Sequence, residues 1–393
     1  LKALHRNLPL PIRLWTYEKG LKALSLGLPQ AHRSRIKKGH VHLSGFFHKG
    51  FGIGRAGDLT HLGLNSLGIQ HQTHCLNPKP DPNCDDFDGG GVWIIHANAP
   101  EAIMALIKTP RSFWENKKRI AYWAWETPIM PTFWAYCAQY FHEIWFPSHY
   151  CLKAASATIS KQPRHKPILR LVPHPVGLWR AETYRRANHI DFKVLSLFDL
   201  DSSFARKNPE LAVKAYLKAF DKPQLGTSLT IKISGEQGAS KALSALNFLI
   251  HNRPDISLRR DRIPEAQMRE FLASHDALLS LHRSEGFGLS LAEAMDLGLC
   301  VIATEGSGPE DYLNTETGFV IPASTIPIHD PLGPYAFYGD QTWQEADLNN
   351  ASVILKSLSL SLDLRHSKTV AAQKMIDRLT QDFQSEVTKA LIT

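Results

Sequence analysis

The chain has 393 residues, of which 43% are hydrophobic and 21% charged. That is long enough for two domains with sizeable cores, and it excludes intrinsic disorder and fibrous repeats. Five scattered cysteines (Cys75, Cys84, Cys137, Cys151, Cys300) do not form a disulfide framework, and the net charge is +8.

Nine of the Lys and Arg residues fall in residues 1–40, against the single acid Glu18, so the rest of the chain is balanced. With Leu and Trp15 interleaved, this stretch reads as a basic arm suited to an anionic membrane surface, or else as a solvated or packed extension. The balanced body offers no basic groove, so no nucleic-acid partner is expected. Arg6, Pro9, Pro11 and Arg13 interrupt the opening, unlike a signal peptide, and no apolar run is long enough to span a membrane. The odd, scattered cysteines fit a reducing compartment, and the expected location is cytoplasmic, peripheral at the inner face of the bacterial cytoplasmic membrane.

From residue 41, short apolar runs alternate with helix-like segments, the pattern of parallel strands with crossover helices. Strands are expected at Val41–Phe47, Gly68–Thr73, Gly91–Ala97, Arg119–Trp125, Glu143–Pro147 and Ile168–Pro173, with helices at Ala56–Leu67 and Phe133–Tyr140. A Pro-His-Pro turn at 173–175 and a polar stretch to Asp191 mark a boundary. The alternation resumes with strands at Phe192–Leu200, Leu229–Ser234, Ile256–Arg259, Ala277–Leu281, Cys300–Thr304 and Gly318–Pro322. Helices are expected at Asn208–Phe220, capped by Asn208, and at Pro264–His275 and Ser290–Leu297. A Pro/Gly-rich loop, Pro322–Gly339, precedes a helical C-terminus. The fold class is α/β: a basic arm (1–40), two doubly wound domains (41–180 and 181–346) and C-terminal helices (347–393). Two such sheets facing each other make a cleft, because ligands bind at the carboxyl ends of the strands.

The strongest chemical signal is Ser284-Glu-Gly-Phe-Gly-Leu-Ser-Leu-Ala-Glu293-Ala-Met, running from a strand into a helix. Gly286 and Gly288 let the backbone approach a ligand, and the helix N-terminus offers N–H groups and a positive dipole to phosphate. Glu293, in the first turn, could accept ribose hydroxyls. Ser290-x-x-Glu293 also fits a capping box, in which Glu293 merely satisfies a backbone amide.

The Glu285-x7-Glu293 stretch resembles the donor-binding signature of retaining GT-B glycosyltransferases of family 4. Val301-Ile-Ala-Thr, Ser307-Gly-Pro-Glu-Asp-Tyr, Ala205-Arg-Lys-Asn-Pro-Glu and Gly52-Ile-Gly-Arg-Ala-Gly57 extend the resemblance, and Tyr122-Trp-Ala-Trp-Glu126 is similar to segments of bacterial polysaccharide and lipopolysaccharide members. The resemblance implies two Rossmann-like domains across a cleft and transfer of a hexose from a nucleotide diphosphate sugar, GDP-mannose or a UDP-hexose. The implied acceptor is a saccharide hydroxyl, lipid-linked or part of a lipopolysaccharide or exopolysaccharide, and no metal is required. Glu285 would contact the donor sugar and Glu293 the ribose. Lys207 and Arg206 would neutralise the leaving diphosphate, helped by the amides of Phe287, Gly288 and Leu289 beside Gly286. Gly52 and Gly54 would let the first domain's loop approach the phosphate. His96 would lie near the transferred sugar and Glu126 on the acceptor side. Better-known members carry an Arg several residues before the Lys; here Asp199-Leu-Asp-Ser-Ser203 has no cation.

Competing signals are weaker. Asp199-x-Asp201 and Asp86-x-Asp88 could hold a divalent cation on a diphosphate. His71, His74, Cys75 and Cys84 fit no standard zinc spacing. Gly52-x-Gly-x-x-Gly57 matches a dinucleotide fingerprint, but no acid ends the next strand. A nucleotide-sugar epimerase or hydrolase, and a non-catalytic sugar-nucleotide-binding subunit of an assembly complex, are the alternative functions.

Overall fold

In the computed structural model, the described residues are 10–32, 35–47, 52–76, 90–161, 166–180, 191–236, 239–331 and 333–391. Cys84, Asp86, Asp88 and the first nine residues of the arm lie outside them. The chain divides into two compact units, residues 1–178 with 379–393, and residues 179–378.

The first unit holds a six-stranded sheet: β1 (Val41–Gly45), β2 (His71–Cys75), β3 (Val92–His96), β4 (Lys118–Tyr122), β5 (Glu143–Phe146) and β6 (Ile168–Leu171), in the order β2-β1-β3-β4-β5-β6. All neighbours are parallel. Strands covered on both faces need continuous apolar runs, as in Val92-Trp-Ile-Ile95. The core gathers Leu43, Ile94, Ile120, Tyr122 and Trp145, and the chain's last helix, Thr369–Leu391, adds Phe383, Val387 and Ala390. That helix packs closely, since a Cβ on Gly63 would come within 2.2 Å of the Phe383 ring.

The strand expected at Gly68–Thr73 lies instead at His71–Cys75. Gly68, at φ +68°, closes the preceding helix Gly52–Ser66, with Ile69 N–H returned to Leu64 O, so pairing starts later. β2 is an edge strand and tolerates polar side chains. Gly52 and Gly54, expected in a loop, form the first turn of that helix.

Part of the arm is a helix, Leu10–Ser25, packed on its own unit. Leu21 and Ser25 are buried, Tyr140 Oη donates to Ser25 O at 2.9 Å, and Ala31 N–H reaches Gln139 O at 3.0 Å.

The second unit's sheet comprises β7 (Phe192–Asp199), β8 (Thr227–Ser234), β9 (Ile256–Arg259), β10 (Ala277–Ser280), β11 (Cys300–Thr304) and β12 (Phe319–Ile321), again all parallel. Its order is β12-β11-β10-β7-β8-β9, the doubly wound arrangement of dinucleotide-binding sheets. The segment read as a loop, Pro322–Gly339, begins with β13 (Ala323–Pro327), which pairs antiparallel with β14 (Thr342–Ala346). Its exposed, Pro-ended sequence hides the strand. Helices at Ala99–Lys108, His149–Ile159, Phe204–Lys207 and Ala239–Leu249 also went unread.

Candidate active site

Each sheet reverses direction once, between β1 and β3 in the first unit and between β7 and β10 in the second, and such points open a crevice at the strands' carboxyl ends. In the second unit the segment after β7 delivers Arg206 and Lys207, and the segment after β10 delivers Glu285. Topology alone therefore brings together three of the residues singled out in the sequence.

Arg206 and Lys207 end the four-residue helix Phe204–Lys207. Its cap is Ser203, whose Oγ accepts from Arg206 N at 3.1 Å. Asn208, expected to cap the next helix with its side chain, instead makes a left-handed junction (φ 50°) with no side-chain cap. This turn lets two helices meet end to end, so both cations remain at the strand end.

Glu285 is buried between the cations. Arg206 Nη1 lies 3.0 Å from its Oε2, and Lys207 Nζ pairs with Oε1. Arg206 Nη1 also donates to Ser284 O at 2.7 Å. Burial pushes the Glu285 carboxyl up, but Arg206, Lys207 and nearby His282 outweigh it and hold the group well below the usual carboxylate range. Glu285 is therefore ionised at every pH of interest.

The loop leading out of Glu285 is tightly stitched. Glu285 N–H donates to Ser307 Oγ at 3.1 Å, and Gly308 N–H to Glu285 O at 2.9 Å. A Cβ on Gly308 would meet Gly286 O at 2.1 Å. Phe287 is buried against Tyr312, with ring centroids 5.1 Å apart. Gly288 has φ +83° and caps the helix Leu289–Asp296, so the helix starts one residue before Ser290. The capping-box expectation fails here, because no side chain caps this helix. Glu293 consequently sits just past the first turn rather than inside it, and it is buried. Amides at the start of such a helix point out along its axis, ready for an anion.

His282, unnoticed in the sequence, stands three residues before Glu285. Ser280 Oγ lies 3.0 Å from its Nδ1, and its Nε2 has no hydrogen-bond partner. Burial lowers its pKa to about 4; Glu285 pulls the other way, and the two cations add to the fall. It is a neutral, buried neighbour of the ion cluster, with only one local signal: its place at a strand end.

The carboxylates of the D-x-D pair are occupied in turns: Asp199 Oδ1 accepts from Asp201 N at 2.9 Å, and Asp201 Oδ1 from Glu236 N at 3.0 Å. Among the described residues, no three His, Cys, Asp or Glu side chains converge as metal ligands would.

In the first unit, His96 ends β3 opposite Gly45 of β1, at that sheet's own reversal point. It is buried, and neither ring nitrogen has a hydrogen-bond partner beyond its own backbone. Its ring lies 4.3 Å from that of Tyr122, which in turn stacks at 5.1 Å on His174 and meets His174 Nδ1 at 3.0 Å through Oη. Burial lowers the His96 pKa to about 3. Glu126 is half-buried, with Tyr150 Oη 3.5 Å from its backbone oxygen.

No curated protein is significantly similar to the chain in sequence. Among solved structures, S. aureus TarM in complex with Fondaparinux, alpha-GlcNAc-glycerol and UDP superposes with a TM-score of 0.55 at 11% identity, over 77% of this chain. The chain spans only 55% of TarM. Anabaena HepE in complex with UDP and glucose gives 0.57 at 10% identity, over 90% of this chain and 99% of that one. An E. coli structure described as trehalose-6-phosphate bound with UDP-2-fluoro glucose gives 0.60 at 11%, with 90% and 99% covered. At these identities the likeness is one of fold, the two Rossmann-like units of GT-B proteins. Residues 197–326, which hold Arg206, Lys207, Glu285 and Glu293, match the family described as Glycosyl transferases group 1.

Proposed function

We propose that the chain is a retaining hexosyltransferase that takes its sugar from a nucleoside diphosphate sugar, most simply a UDP-hexose, and needs no metal. The observation that carries this reading is Glu285 held by Arg206 and Lys207 at the sheet's reversal point, directly before a helix N-terminus. Breaking a glycosyl phosphate bond leaves charge on the diphosphate. Two fixed cations and a row of amides stabilise that charge without reorganising. Glu285 orients the sugar hydroxyls, and the departing phosphate oxygen takes the acceptor's proton on the same face, which retains the anomeric configuration. UDP in the TarM and HepE structures supports a uridine donor over GDP-mannose. The same reading assigns Glu293 to the ribose, His96 to the transferred sugar, Gly52 and Gly54 to phosphate approach, and Glu126 to the acceptor.

The acceptor in this reading is a lipid-linked saccharide or polysaccharide, met at the cytoplasmic face of a membrane. Support comes from the helix Leu10–Ser25, whose outward stripe Ile12, Trp15 and Lys19 leaves Trp15 53% exposed. No helix among the described residues is long and apolar enough to cross a membrane. Vesicles rich in phosphatidylglycerol should retain the protein and release it after Trp15→Ser with Lys19→Glu; equal retention refutes the docking.

The decisive experiment is calorimetric titration with UDP, GDP, ADP and NAD, with and without chelator. Chelator-insensitive binding of one diphosphate, lost in Lys207→Ala, is the expected result. Binding that needs Mn²⁺ would return the metal role to Asp199 and Asp201. Donor turnover without an acceptor would favour a hydrolase or epimerase, and no binding at all a non-catalytic subunit.

A further inference from the structure

A four-residue helix is far too short to hold itself, so Phe204–Lys207 keeps its two cations in place only through tertiary ties. The resemblance places an Arg several residues before the Lys, where Asp199–Ser203 has no cation, so the load falls on Arg206 and Lys207. Beyond Glu285 and the Ser284 carbonyl, ties come from the hairpin β13–β14 and the loop that joins its strands, and they reach both ends of the helix.

At the N-terminal end the contact is Asp330, a buried carboxylate in that loop, 3% exposed. Ser203 Oγ donates to Asp330 Oδ1 at 3.0 Å while accepting from Arg206 N, so the cap hydroxyl is aimed by the carboxylate. Tyr335 N–H reaches Asp330 Oδ2 at 3.3 Å. The loop closes tightly on the group: a Cβ on Gly333 would lie 1.9 Å from Oδ2. The Tyr335 ring then sits 5.7 Å from the Arg206 guanidinium.

At the C-terminal end the contact is Glu345 on β14. It pairs with Arg283 and accepts from Asn208 Nδ2 at 3.4 Å, the residue of the left-handed junction. Arg283 in turn donates from Nη1 to Ala205 O at 2.7 Å and from its backbone N to Arg206 O at 2.8 Å. Arg283 also lies two residues before Glu285. One hairpin thereby fixes the cation helix and the glutamate loop against each other.

We propose that Asp330 and Glu345 are positioning residues for sugar transfer. They hold Arg206 and Lys207 at the spacing a diphosphate requires and touch no substrate themselves. The proposal rests on the reading of those cations as the diphosphate site. A brace of this kind acts on the terminal phosphate and leaves recognition of the nucleoside alone, which separates it from a general packing role.

The test is calorimetry of UDP, GDP, UMP and GMP binding to the parent protein, Asp330→Asn, Glu345→Gln and Lys207→Ala, with circular dichroism to confirm folding. Diphosphate affinity should fall about tenfold in the two brace variants, with monophosphate affinity held within about twofold, as befits weakened charge-assisted bonds. Equal losses for mono- and diphosphates, or no loss for either, would overturn the brace while Lys207→Ala still reports on the phosphate site. A parent that binds no diphosphate, or a Lys207→Ala variant that binds it normally, would overturn the functional reading itself. Should Asp330→Asn fail to fold, the more accessible Glu345→Gln decides the matter alone.

Discussion

The Tyr312 hydroxyl oxygen lies 2.7 Å from the carbonyl oxygen of Phe287 and 2.8 Å from that of Gly288. Those two carbonyls lead into the helix Leu289–Asp296, so one buried phenol anchors the turn that aims the helix at its ligand. Burial, with Glu285 and Asp311 adding, pushes the phenol pKa well above its ordinary value, and the group stays a donor throughout the accessible pH range. Tyr312→Phe should cost about 1 kcal/mol of stability. It should also weaken diphosphate binding; urea unfolding and calorimetry on the same preparation measure both effects.

Glu285→Gln keeps the shape and removes the charge. Turnover should drop on the order of a hundredfold, the usual effect of removing one fixed electrostatic partner from a transfer site. Its pH signature is separate. A carboxyl depressed in the native state stabilises the fold above its unfolded pKa of ~4.3, and that stability fades as pH falls towards the lower native value. Acid unfolding of the second unit should therefore be shallower below about pH 4 in the glutamine variant.

Two buried imidazoles in the first unit act in the same direction at higher pH. His96 is lowered to about 3, and His174 falls well below its ordinary value through burial and the neighbouring His96. The unfolded chain protonates these rings near pH 6.5 and the native chain does not, so stability declines on acidification from there. Each ring contributes at most about 1.4 kcal/mol per pH unit. Asp296 opposes this in the second unit, since burial raises its carboxyl to about 6 despite Arg180. The informative readout is thus the difference between parent and His174→Gln in urea midpoints at pH 7 and 5, which should show one fewer proton taken up.

Gly63→Ala should destabilise the first unit by about 1–3 kcal/mol, because the added methyl meets the Phe383 ring at 2.2 Å. Pairing it with Phe383→Leu should recover part of the loss, by thermal denaturation. Additive losses would mean that the helix shifts instead.

A strand buried on both faces was legible as an apolar run: Cys300–Thr304 matches the strand expected there, and the half-exposed edge strand Ile256–Arg259 matches its expectation as well. The Glu285–Glu293 stretch was legible because its logic is local, a strand end, two glycines and a helix start. The exact start of that helix was not, since Ser290-x-x-Glu293 satisfies the capping pattern while the left-handed Gly288 does the capping. Arg283 and Glu345 are 62 residues apart, and nothing near either announces the other. His282 was missed because an isolated histidine beside a strand carries no spacing to recognise. The hairpin β13–β14 was missed because its first strand is exposed and ends in proline, so neither periodicity nor burial marks it.

The placement of Phe383, Val387 and Ala390 in the same core as Leu43, Ile94 and Trp145 bears on how the protein is made. A ribosome delivers the first unit's six strands early, yet that unit's interior stays short of three apolar side chains until the second unit's residues have been synthesised. Domains ordinarily fold in the order in which they emerge, the N-terminal one first. Here the second unit, contiguous in sequence, is delivered whole before the first has received the last of its core side chains.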